Sequence, residues 1–212
     1  LPLRLVSPQE DIDAYAELEF LASEPYARFV YGEPDVARRI HRRLIEQGLG
    51  EFGGAQSVLA LDEQGRAVGM YVGPFDASSL GRERMRVARA LMGDADFCSD
   101  PGFRERASLA KSAFLTLGPG DAYLSRIAVA PAARGLGVGS QLLRHFFARC
   151  EATGARRAVL EVSTEHVAAS ALYAAFGFVP TGEGVSTSGH DELRYRHLAA
   201  SLPTGATPQE QP

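Results

Sequence analysis

The stretch that decides the reading is Ile127-Ala-Val-Ala-Pro-Ala-Ala-Arg134-Gly-Leu-Gly-Val-Gly139-Ser140. A strand-like apolar run ends at Pro131, glycines alternate at 135, 137 and 139, and an amphipathic segment follows at once. Glycine lets the backbone take conformations closed to other residues and approach a ligand closely. The first turn of a helix leaves its N–H groups unpaired and carries partial positive charge. A glycine-rich turn into a helix is therefore a ready site for a phosphate or pyrophosphate. Arg134 adds a permanent charge and a fork of donors. A tight turn without a ligand is the competing reading. The Gly-Lys-Ser/Thr of a P-loop is absent, and the sixth position counted from Gly135 is Ser140, which breaks the dinucleotide fingerprint.

Around this loop the pattern is a compact βαβα run. Ala122–Val129 reads as a strand. Ser140–Ala152 reads as a helix with Leu142, Leu143, Phe146, Phe147 and Cys150 on its buried stripe. Ala158–Ser163 is a second strand, Val167–Phe176 a second helix, and Glu192–Leu198 a final strand. Upstream, Leu3–Val6 reads as a strand. Ser7, Pro8 and Glu10 form a helix start, and that helix is expected to run to about Ala22. Pro34 opens a further helix with Val36, Ile40 and Leu44 on one face and Arg38, Arg39, Arg42 and Arg43 on the other. That arginine face is either solvated or a contact for an acidic group. Ser57–Leu61 and Ala67–Pro74 are hairpin strands around a turn at residues 62–66. Residues 76–120 do not continue the hairpin. Leu80–Met92 and Phe103–Leu115 have helical periodicity, so the segment is expected to be a two-helix insertion. From Ala199 the chain reads AASLPTGATPQEQP, expected to be a flexible tail behind a single domain over 1–198.

The whole-chain numbers agree. With 212 residues, 45% apolar and 23% charged, the chain is sized for one soluble domain. A net charge of −4 and a pI near 5.8 disfavour a broad basic surface for nucleic acid. No apolar run approaches the roughly 20 residues of a membrane span. The first residues, LPLRLVSPQEDIDAY, lack the apolar core of a signal peptide, so cytoplasmic residence is expected. Lys111 is the sole lysine beside 21 arginines, which fits compositional bias. Cys98 and Cys150 form no disulfide framework, and no metal-ligand spacing links the cysteines with His41, His145, His190 or His197, so no metal is expected.

Two motifs in register point further. Arg134-x-x-Gly137-x-Gly139, between a strand and a helix, resembles the pyrophosphate loop of the GNAT N-acetyltransferases. Ala171-Leu-Tyr173-Ala-Ala-Phe-Gly177-Phe178 resembles that superfamily's Leu-Tyr-x-x-x-Gly-Phe segment. The likeness spans about Tyr123 to Pro180. It implies an α/β (α+β) fold whose mixed sheet splays between strands 122–129 and 158–163, with acetyl-CoA in the opening. The pyrophosphate would meet the N–H groups of Arg134, Gly135, Leu136, Gly137, Val138, Gly139 and Ser140. The pantetheine arm would pair with the backbone of Ile127, Ala128 and Val129. His166 stands where the family often has a pantetheine-binding Asn. It can still donate or accept, and capping or exposure is its alternative role.

The resemblance also implies the chemistry. Tyr173 matches the tyrosine expected to protonate the CoA sulfur. A phenol near pKa 10 suits that task beside a thiol near roughly 8.5. Its alternative role is core packing. Glu161, amid the apolar residues of Val159-Leu-Glu-Val162, is similar in place to a catalytic Glu of bacterial ribosomal-protein N-terminal acetyltransferases. Burial would raise its pKa towards that of a base, and a structural pair with an arginine is the alternative. The expected reaction is direct acetyl transfer from acetyl-CoA to a primary amine, with a small molecule favoured as acceptor. A protein N-terminal or lysine acceptor and a non-catalytic CoA-binding domain are the alternatives. The acceptor is expected against Ser23–Gly32 and a loop at Thr181–Asp191, and the insertion is a candidate lid or homodimer contact.

Overall fold

The computed structural model describes residues 2–52 and 56–203, without the side chains of Asp96 and Cys98. The last nine residues, 204–212, most of the expected tail, lie outside the described residues. β1 (Arg4–Val6), β2 (Ser57–Leu61), β3 (Ala67–Val72) and β5 (Arg126–Val129) form one antiparallel sheet in that order. β4 (Asp121–Tyr123), β6 (Arg157–Ser163), β8 (Asp191–Ser201) and β7 (Val179–Ser188) form the other, with β4 and β6 parallel. The hairpin turn between β2 and β3 is held by Asp62, whose Oδ1 accepts from the N–H groups of Gln64 and Arg66, both at 2.9 Å.

The strand read as continuous over 122–129 is two strands in two sheets. Leu124 N–H still donates to Val159 O at 2.9 Å, but the next residue, Ser125, donates to Val72 O at 2.9 Å. The chain changes partners between these two residues. β4 covers β6 only as far as Val159. Beyond that point β5 and the second half of β6 diverge, each with one edge unpaired within the sheets. Alternating apolar residues carried no trace of the switch, because both halves are buried or half-buried.

Other boundaries also differ. The first long helix, α1 (Ile12–Tyr31), starts one turn later than expected and passes Ala22. Ser7 and Pro8 open a separate 3-10 turn, and Asp11 caps α1 by accepting from Ala14 N–H at 3.0 Å. Pro25 deprives the Leu21 carbonyl of its usual donor, yet Ala27, Phe29, Val30 and Tyr31 are all buried beyond it, and that burial carries the helix through. α2 (Pro34–Glu46) packs on α1, where Arg38 pairs with Glu17 at 3.2 Å and Arg42 pairs with Asp13. Much of the arginine face is thus matched within the chain, by exposed pairs of small energetic weight.

Residues 77–113 form three helices rather than two, α3 (Ala77–Leu91), α4 (Ala95–Ser99) and α5 (Phe103–Leu109), followed by a 3-10 turn at Ala110–Ala113. The expected second helix stops at Leu109 and continues only as that turn. α6 (Val138–Ala152) buries Leu142, Leu143, Phe146 and Cys150 completely, and α7 (Val167–Ala175) follows β6. The supposed loop at Thr181–Asp191 is mostly β7, an edge strand of small and polar residues with little buried surface for a pattern to register. Nor is Ala199 the start of a tail. Ala199, Ala200 and Ser201 pair with Val159, Ala158 and Arg157, and Leu202 is buried beyond them.

Candidate active site

The glycine loop works through its backbone. Gly135 and Gly137 have φ of 77° and 80°, where other residues are strained, and a Cβ on either would meet nothing within 4 Å. No side chain caps α6, and its first ladder bond runs from Gln141 N–H to Gly137 O at 3.1 Å. The preceding N–H groups of the first turn therefore point into open space, the arrangement that binds anions. Gly139 has a different task. A Cβ there would lie 2.9 Å from Leu172 Cδ2, so the glycine lets α6 press against α7. Arg134 is exposed, with Nε donating to Val129 O at 3.4 Å.

This loop closes one end of a cavity of about 580 Å³ in the opening between β5 and β6. The cavity is lined by Ile127, Ala128 and Val129 of β5, by Arg134, Gly135 and Gly137, and by Val138, Gly139 and Ser140 of α6. Glu161, His166 and Tyr173 line it too. Of the residues proposed from sequence only Leu136 is missing from the wall, since its side chain is 54% exposed. His166 precedes α7 without capping it through its side chain. Tyr173 packs its ring on Phe178 with centroids 5.7 Å apart, and its hydroxyl has no hydrogen-bond partner among the described residues. Burial pushes its phenol well above the ordinary value, so it stays protonated at neutral pH.

A second cavity, of about 380 Å³, adjoins the first. Ala22, Ser125, Arg126, Glu161 and Tyr195 line both. The second is walled by α1, by the 3-10 turn at Gly50–Phe52, and by the helical segment 77–113. Glu161 thus sits where the cavities meet. Its Oε1 accepts from Leu115 N–H at 2.8 Å. Burial raises its pKa above the ordinary carboxylate value, against the pull of the Leu115 bond, Tyr123 and Arg84.

Behind the junction runs a chain of charges that sequence reasoning missed, buried at Glu19, Glu51 and Arg126 and reaching the surface at Arg84. Arg126 Nε pairs with Glu19 Oε1 at 2.5 Å and its Nη1 with Glu51 Oε2 at 3.0 Å, while Arg84 Nε meets Glu51 Oε1 at 3.1 Å. Ser125 Oγ also donates to Glu51. Against the cost of burial, Arg126, Arg84 and Ser125 hold the Glu51 pKa below its ordinary value, whereas burial lifts that of Glu19 to about 7. Breaking such a pair leaves an uncompensated buried charge. The available signal was a charge inside an apolar run, Glu19 between Leu18 and Phe20 and Arg126 before Ile127.

A model of the acetyltransferase (GNAT) family matches residues 19–178. The chain belongs to the GNAT acetyltransferase family. It is an acyltransferase of mixed α/β fold. Solved acetyltransferases share that fold at low identity. The N-acetyltransferase of Staphylococcus aureus Mu50 is 15% identical, with a TM-score of 0.65 over 94% of this chain and 100% of its own. The ribosomal-protein alanine N-acetyltransferase of Escherichia coli is 16% identical, with a TM-score of 0.54 over 99% of each chain. An acetyltransferase of Bacillus subtilis, solved in complex with CoA, is 14% identical, with a TM-score of 0.54 over 95% of this chain and 99% of its own. No curated protein matches the sequence.

In this acetyltransferase, Gly137→Asp tests the loop. The substitution strains a left-handed position and puts a carboxylate before the open N–H groups. Calorimetry should show CoA affinity falling at least about tenfold, or 1.4 kcal/mol. Unchanged affinity in a folded variant removes the loop from the binding site. Among the described residues no helix is long and apolar enough to cross a membrane.

Proposed function

We propose that the protein transfers the acetyl group of acetyl-CoA to the primary amine of a small molecule, with both substrates bound together. The observation that carries this is the meeting of two cavities at Glu161, one ending at the glycine loop and containing Tyr173, the other lined by aromatic side chains. Acetyl-CoA supplies an activated thioester. The free edges of β5 and β6 suit a peptide-like arm, and the open N–H groups of the loop suit its pyrophosphate, so the residues present fit the donor.

The roles divide as follows. Glu161 takes a proton from the ammonium so that nitrogen attacks as the free amine. The backbone near Ile127 donates to the oxygen on which charge develops. Tyr173, protonated and without an internal partner, gives its proton to the departing sulfur. The C–N bond forms, the C–S bond breaks, and CoA leaves as the thiol; the second proton that nitrogen sheds on becoming an amide restores the Tyr173 phenol, and the proton on Glu161 passes to solvent. The second cavity, about 380 Å³ and lined by rings, is sized for a small acceptor.

Incubation with acetyl-CoA and an amine panel checks this reading. Amine-dependent thiol release together with an N-acetylated product by mass spectrometry is expected. Tight CoA binding without release on any amine would favour a non-catalytic CoA-binding role.

A further inference from the structure

The second cavity has a polarity of its own. Its wall is ring-rich: Tyr31 meets Phe103 with centroids 5.1 Å apart, Tyr26 meets Phe114 at 5.6 Å, and Phe52, Phe97, Tyr123 and Tyr195 add further rings. The charges deep in the wall are already matched, since Glu51 accepts from Arg84, Arg126 and Ser125. At the junction with the donor cavity stands one carboxylate, Glu161.

The helical segment presents something different. Arg104, Ala107 and Ser108 of α5 and Lys111 of the 3-10 turn that follows it line the cavity together. Small residues separate the two cations and leave room between them. Arg104 and Lys111 are exposed, and neither side chain makes an ion pair or hydrogen bond with a described residue. Four cations (Arg84, Arg104, Lys111, Arg126) thus line the cavity against two carboxylates, Glu51 and Glu161. A second ammonium on the acceptor would meet this excess, which disfavours polyamines and basic peptides. A carboxylate would meet two free donors, one of them a guanidinium fork that matches its geometry.

We propose that the acceptor is an amine on an aromatic or aliphatic body that also bears a carboxylate, with the amine at Glu161, the body among the rings and the carboxylate at Arg104 and Lys111. This rests on acetyl transfer at the junction and names the substrate class for it. The helical segment is then the specificity element, reading the acceptor by charge as well as by shape.

The test compares phenethylamine, its ring-carboxylated analogue and spermidine. Binding is measured by calorimetry on CoA-saturated protein, and turnover by thiol release with acetyl-CoA. The carboxylated amine should bind at least about tenfold tighter than phenethylamine, and spermidine more weakly than either. In Arg104→Ala/Lys111→Ala, confirmed folded by its melting curve, the preference should collapse to within about threefold. Equal binding of the two aromatic amines, tighter spermidine binding, or a preference that survives in the double variant overturns the assignment. Tight carboxylate-dependent binding without turnover overturns acetyl transfer and leaves the binding class standing. Turnover of all three amines without preference does the reverse.

Discussion

Tyr173→Phe slows acetyl transfer by roughly 10²–10⁴-fold when proton delivery to sulfur belongs to the rate-limiting step. The substitution keeps the ring against Phe178 and removes only the hydroxyl. That hydroxyl makes no hydrogen bond within the described protein, so no internal bond is lost and melting should hardly move. CoA affinity should stay within a few-fold. Where product release limits turnover, the loss in steady state shrinks, and single-turnover measurement recovers it. A variant whose chemical step runs at the wild-type rate would return Tyr173 to a packing role on its alanine-rich helix.

Glu161→Gln is the companion experiment. Gln preserves the acceptor for Leu115 N–H and removes the site for a proton. The rate should fall by roughly 10²–10⁴-fold, and the pH profile should change shape. In the native enzyme kcat/KM should rise with pH through a carboxylate pKa lifted by burial, because only the ionised form accepts the proton. In the variant that limb should vanish. Stability moves the other way. A carboxylate whose folded pKa is raised contributes stability that is present below its unfolded pKa and is lost as pH rises through the folded one. The Gln variant should therefore be no less stable than the native protein at neutral pH, and its melting temperature should fall less between mild acid and neutrality. Catalysis that keeps the original limb would assign the base to another group or to solvent.

The same two residues show how far sequence reasoning reaches. Tyr173 stood in a motif whose Gly177-Phe178 ending fixes the direction of the chain after the helix, so its place in one cavity with the glycine loop followed from local order. Glu161 was conspicuous as a charge amid apolar strand neighbours. Arg126 and Glu19 carried a similar signal, but a lone charge in an apolar run does not name its partner. Glu19 and Arg126 are 107 positions apart and meet only because α1 packs on β5.

What the sequence determined by itself is what depends on neighbours along the chain. The alternating glycines, the uncapped helix start and the buried stripe of α6 are local matters of backbone freedom and periodicity, and they specified the donor loop and the family. Tertiary structure decided whatever depends on elements distant in sequence. Pro25 interrupts a helix that burial then carries on to Tyr31. One apolar run becomes β4 and β5 because the chain changes partners from β6 to β3 after Leu124, and the resulting unpaired edges make the opening that holds the first cavity. The second cavity is a tertiary product throughout. Its rings come from α1, the turn at Gly50–Phe52, the helical segment and Phe114 just beyond it, β4 and β8, and only packing brings them around the single carboxylate that faces both cavities.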